Sequence, residues 1–116
     1  RFRMPAIDLS TTVGGNASGE LVLRLIGDLD MASAYLVSSW MDAFRAGSAY
    51  VIDLSGVTFI DSHGLAALLE AQASAESTNA SLTLRSPSKQ ALDLLMLTGL
   101  DLHFTIALST TQVAAQ

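Results

Sequence analysis

The sequence predicts an α/β domain with a mixed, mostly parallel sheet of four to five strands, an N-terminal hairpin and about three to four helices. Three observations predict it. Short apolar or alternating runs at 7–13, 21–26, 50–54, 81–85 and 103–107 have the length and residue types of strands. Between the later runs, apolar residues recur every three to four positions, which is the helical period. The connections are short, so each strand–helix–strand unit must join parallel neighbours by a right-handed crossover.

Each element has its own local reason. Ile7, Leu9, Thr11 and Val13 alternate, residues 14–19 (GGNASG) supply turn chemistry, and Leu21 to Ile26 form a second apolar run, which makes the hairpin. Leu36, Trp40 and Phe44 recur beside Val37 and Met41 and predict a first helix over 33–46, with Gly47 at its left-handed C-terminal cap. Tyr50 to Leu54 is nearly all apolar and too short for a helix, the pattern of a central strand covered on both sides. A second helix follows over 63–77, with Leu65, Leu68, Leu69 and Gln72 on one side. After Asn79, Ser81 to Arg85 alternates as a strand, and Ser86-Pro87 reads as an N-cap followed by proline at the first helical position. Leu92, Leu95 and Met96 give the third helix its buried stripe, Gly99 ends it, Leu100 folds back on its last turn, and 103–107 supplies the last strand. Three helices are too few for two full layers, so they are expected to crowd one face and leave the outer strands open to partners.

Composition excludes several classes of function. The 116 residues fit one domain over 1–116, with a core over about 5–108 and a flexible tail over 109–116. Half of them are apolar, 15% are charged and 6% aromatic, which implies an aliphatic core and elements covered on both faces. Net charge is −5 and the six Lys and Arg are scattered, so no basic stripe exists for a nucleic acid. Cysteine is absent, which removes disulfides and thiolate metal sites and fits a reducing compartment. No apolar run approaches the ~20 residues that span a bilayer, so a cytoplasmic protein without membrane insertion is expected. The chain opens on Arg1-Phe2-Arg3, which reads as a fragment or processed form, with Met4 as one conceivable start.

The most informative stretch is Asp61-Ser62-His63-Gly64, where the chain must leave the sheet and start a helix. Asp61 and Ser62 are both strong N-cap residues, and capping explains one of them, at a cost of ~1 kcal/mol on substitution. A serine at the positive end of a helix dipole is also a phosphate acceptor, and phosphorylation there adds about −1.5 to −2 charges beside Asp61. The residues alone leave both readings open. Catalysis is not expected, because Ser62 and His63 are chain neighbours whose side chains diverge, whereas a Ser-His pair needs a reach of about 2.6–3.2 Å. Ile60 also stands where a nucleophile elbow requires glycine. His103, alone at the start of a strand, reads as a surface or edge residue. Asp28 and Asp30 form a two-acid cluster with no closing glutamate, better suited to a turn than to calcium. No glycine fingerprint for a nucleotide is present, Gly14-Gly15 belonging to the hairpin, and no metal or cofactor is expected.

Leu25-Ile26-Gly27-Asp28-Leu29-Asp30, the strand and loop from Val51 to Ile60, the turn Asp61-Ser62-His63-Gly64-Leu65 and Leu97-Thr98-Gly99-Leu100 together resemble the STAS domain, particularly the bacterial anti-sigma factor antagonists, in the right order over about residues 5–108. The resemblance implies a small STAS-like sheet with helices packed against it and Ser62 as the serine phosphorylated by a partner kinase. The unmodified protein would then bind an anti-sigma factor, itself that serine kinase, and so free a sigma factor. Phosphorylation would break the contact, a serine phosphatase would restore it, and the antagonist itself would catalyse nothing. Asp28, Asp30 and Asp61 would frame Ser62 on the partner-facing surface, with His63 and Gly64 beside it. His63 departs from the small residue such antagonists often carry there. The alternative within the family is a non-switching STAS subunit of another assembly, such as a lipid-transport complex or a stressosome scaffold, in which the serine only caps.

Overall fold

The computed structural model describes residues 10–12, 20–42 and 45–109. In chain order they form β1 (Ser10–Thr12), β2 (Leu21–Leu29), α1 (Tyr35–Met41), β3 (Ala49–Ile60), α2 (Ser62–Ser77), β4 (Ser81–Arg85), α3 (Lys89–Leu97), a 3-10 turn (Leu100–Leu102) and β5 (Thr105–Ala107). The strands pair in sequence order, β1 antiparallel to β2 and the other four parallel, which is the expected α/β class with its N-terminal hairpin. Ile7, Leu9 and Val13 of the first run, the turn over 14–19, Phe44 of the first helical face and the tail from residue 110 lie outside the described residues.

Register decides which side of the sheet holds the core. Leu21 and Leu23 pair with Tyr50 and Ile52, these with Leu82 and Leu84, and Leu84 with Ile106, so these side chains share one face. Val37 of α1, Leu65, Leu68 and Ala71 of α2, and Ala91 and Leu95 of α3 join the sheet residues in a single buried cluster, so all three helices pack on that face. The opposite face presents Arg24, Ile26, Thr105 and Ala107 to solvent, which corrects the expectation of cover on both sides for the sheet as a whole. Tyr50 to Leu54 meets that expectation more closely, since Val51, on the face away from the core, is also buried. On the open face the Asp53 carboxylate accepts from the Ser55 amide and hydroxyl and pairs with Arg85 at 3.3 Å.

Four elements differ from their sequence readings. β2 and β3 run on to Leu29 and Ile60 instead of ending at Ile26 and Leu54, because two register shifts, between Arg24 and Ile26 and between Gly27 and Asp28, absorb the irregularity. Gly27 takes φ +105° there. α1 covers seven residues instead of the span 33–46, since residues 31–34 turn around Ser33. Gly47 is left-handed at φ +80° but does not cap α1; its N–H donates to the Asn79 carbonyl.

At the third helix the cap is Ser88, not Ser86. Ser86 sits at φ +50° with its N–H on the Ala107 carbonyl, and the Ser88 hydroxyl accepts from the Ala91 N–H. That phase turns Ala91 and Leu95 inward and leaves Met96 59% exposed, which corrects the predicted stripe. His103 lies on the turn before β5, exposed, with its ring edge-on to Phe104. No helix among the described residues is long and apolar enough to cross a membrane.

Candidate functional site

The C-terminal ends of β2 and β3 bring the predicted residues together. Leu29 pairs with Ile60, and the Asp61 N–H donates to the Leu29 carbonyl at 3.3 Å, so the loops that leave the two strands start side by side. Asp61 has extended dihedrals, and its Oδ1 accepts from the amides of His63 at 2.9 Å and Gly64 at 3.0 Å. Asp61 is therefore the N-cap of α2, and Ser62 is its first helical residue. The capping function open to both residues on sequence is filled by the acid.

Ser62 is exposed, and its hydroxyl has no hydrogen-bond partner among the described residues. His63, also exposed, lies with Nδ1 3.7 Å from Oδ2 of Asp61. Partial burial works to raise the Asp61 carboxyl, but the Gly64 and His63 amides, the His63 charge and the Met31 N–H outweigh it and hold the group below the usual carboxylate range. A depressed folded value means that the charged carboxylate stabilises the fold fully above the unfolded value of about 3.9 and that this stabilisation is lost as pH falls through the folded value. Asp61→Asn retains a cap but loses the charge at the helix start, worth about 0.3–1 kcal/mol. The wild type should melt higher than Asp61→Asn at pH 7, with the gap closing below about pH 4. Thermal melts across pH check this, and a gap independent of pH would refute it.

The other candidates build the platform. Asp30 is buried; its Oδ1 accepts from the Ala32 N–H at 3.0 Å and the Ser33 hydroxyl at 3.2 Å. The same hydroxyl reaches the Asp28 carbonyl at 2.7 Å, which ties the turn together. Asp28 is half-buried, and its carboxylate accepts from Thr58 across to β3 at 3.0 Å. Gly64 is buried, and a Cβ built on it would lie 2.3 Å from the Leu29 carbonyl oxygen. Ser62 and His63 are therefore exposed beside the partly exposed Asp61 and Asp28, while Asp30 and Gly64 are buried. Sequence reasoning missed Ser33, although Asp30-x-x-Ser33 has the spacing of a side chain closing its own turn. It also missed Met31, whose N–H helps hold the Asp61 carboxyl below its usual range. Among the described residues, no three His, Asp or Glu side chains gather as a metal site would require.

A family model described as "Mlab, STAS domain" matches residues 15–108. No curated protein sequence matches the chain. Among solved structures, the chain is similar to a Thermotoga maritima protein described as a "putative anti-sigma factor antagonist", with TM-score 0.74 and 21% identity over 92% of each chain. It is similar to an anti-sigma factor antagonist from Mycobacterium paratuberculosis, with TM-score 0.69 and 27% identity over 95% of this chain and 92% of that one. The Bacillus cell fate determinant SpoIIAA in its phosphorylated form matches with TM-score 0.60 and 20% identity over 95% of this chain and 98% of its own.

Proposed function

The chain belongs to the STAS domain family, and within it we propose that it acts as an anti-sigma factor antagonist switched at Ser62. In this reading the unmodified protein binds an anti-sigma factor that is also a serine kinase and so releases a sigma factor in the cytoplasm. Phosphorylation of Ser62 ends the contact, a serine phosphatase restores it, and the protein catalyses nothing itself. The observation that carries the reading is the state of one side chain. Ser62 has an exposed hydroxyl with no hydrogen-bond partner among the described residues, at a helix start whose cap is already supplied by Asp61. A kinase can reach such an oxygen without breaking a cap, and the phosphate is added beside the charged Asp61. Likeness to two antagonists and to a phosphorylated SpoIIAA supports the same reading.

The experiment is phosphorylation by the purified partner with ATP, read as intact mass and as site. One phosphate on Ser62, and none on Ser62→Ala, is expected. A second reading, a non-switching STAS subunit of another assembly such as a lipid-transport complex, is favoured by likeness to a sulfate transporter family protein from Wolinella succinogenes, with TM-score 0.64 and 19% identity over 75% of each chain. It predicts a partner that leaves Ser62 unmodified and a Ser62→Asp variant that binds as the wild type does. That result would overturn the first reading.

A further inference from the structure

The surface beside Ser62 carries two large apolar side chains that the core does not use. Met31 is 71% exposed and Tyr35 62% exposed. The Asp30 carbonyl accepts from both the Ser33 and Ala34 amides, so the chain is already turning helically ahead of α1. At a spacing of four residues Met31 and Tyr35 then lie on one side of that turn. The Asp61 N–H donates to the Leu29 carbonyl, two residues before Met31, which sets this turn beside the start of α2, where Ser62 and His63 are exposed. A soluble protein gains nothing in folding from side chains this exposed, and methionine and tyrosine are enriched where one protein grips another.

Resting on the antagonist reading, we infer that Met31 and Tyr35 are the apolar anchor by which the unmodified protein holds its protein partner, the acids and the phosphate only gating access. The partner this surface fits has an apolar pocket rimmed by lysine or arginine. The pocket takes Met31 and Tyr35, and the cation faces Asp61, with Asp28 alongside. Charge complementarity supports that choice, since the site presents carboxylates and the net charge of the chain is −5. The anchor also gives the affinity a character opposite to a purely electrostatic contact. Binding should fall by less than about threefold between roughly 0.05 and 0.3 M salt, whereas an interface held by exposed ion pairs would be screened.

The test uses the full chain with photo-reactive benzoylphenylalanine at position 31 or 35, and at position 102 as the control, in the host bacterium. Leu102 is 90% exposed in the 3-10 turn that follows α3, so it reports non-specific stickiness. Probes at 31 and 35 should join the same protein, at apolar residues flanked by Lys or Arg, and the probe at 102 should not. With that protein purified, Met31→Ser with Tyr35→Ser should weaken binding by about tenfold or more at unchanged melting temperature, and Tyr35→Phe should restore the aromatic contribution. Equal adducts at 102, or a double variant within about twofold of wild type, would overturn the anchor. The two proposals fail separately. Loss of binding in Ser62→Asp with Met31 and Tyr35 variants unaffected removes only the anchor, whereas adducts at 31 and 35 with no phosphate on Ser62 remove only the switch.

Discussion

Gly64→Ala is expected to lower the melting temperature of the domain by about 10–20 °C, the signature of roughly 3 kcal/mol lost from a chain of this size. In an exposed helix the same change would gain nearly 1 kcal/mol, because alanine is the best helix former and glycine among the worst. The sign reverses here because the added methyl would lie 2.3 Å from the Leu29 carbonyl oxygen and 2.9 Å from its Cγ. The first obstacle is backbone in the middle of a paired strand end, which cannot swing aside as the tip of a long side chain would. α2 must therefore move off β2, and the Asp61 N–H to Leu29 bond that joins the two loops moves with it. Gly99→Ala is the control, since its Cβ would meet nothing within 4 Å and only the left-handed φ of +75° opposes it. That conformational cost is about 1–2 kcal/mol. Calorimetric melts of the two variants check the ordering, and a Gly64→Ala domain that melts with the wild type would show that α2 sits farther from β2.

Local chemistry was legible in the sequence, and through-space approach was not. The helix start at 61–64, the left-handed Gly47 and Gly99 and the order of strands and helices follow from residues within a few positions of one another. What escaped were features set by a distant neighbour. The predicted strands stop at Ile26 and Leu54, just short of Gly27 and Gly56. In the folded chain the first is a bulge residue, and the second lets β3 pass Ile26, whose Cγ1 would lie 3.0 Å from a Cβ at position 56. Asp61 and Ser62 have equal claims as N-caps, and the extended dihedrals of Asp61 with its two bonds from helix amides separate them. At the third helix Ser86-Pro87 reads as the helix start, and the cap falls on Ser88 because the Ser86 N–H bonds to the β5 end instead of opening the helix. Within the site, the exposure of Ser62 and His63 follows from their place on the first turn. The burial of Asp30 comes instead from Ser33, fully buried and bonded to both the Asp30 carboxylate and the Asp28 carbonyl.

Ser62→Asp is expected to weaken partner binding by about 30-fold or more, and Ser62→Ala to leave it within about threefold, a difference of at least 1.4 kcal/mol per factor of ten. The hydroxyl has no hydrogen bond to lose among the described residues, so truncation to alanine removes little from the free protein. A carboxylate there adds a second negative charge next to Asp61, in excess of the one that the partner's cation is placed to meet. An uncompensated charge taken out of water costs several kcal/mol. The substitution should not act through the fold. A negative charge in the first turn is favourable to a helix by about 0.3–1 kcal/mol, partly offset here by Asp61, so the variant should melt close to the wild type. That separation is what makes the measurement decisive. If titration calorimetry with the purified partner gives the same affinity for both variants, the hydroxyl is ordinary surface and the switch does not exist. If Ser62→Asp binds poorly while its melting temperature is unchanged, the loss belongs to the interface, as a charge-gated contact requires.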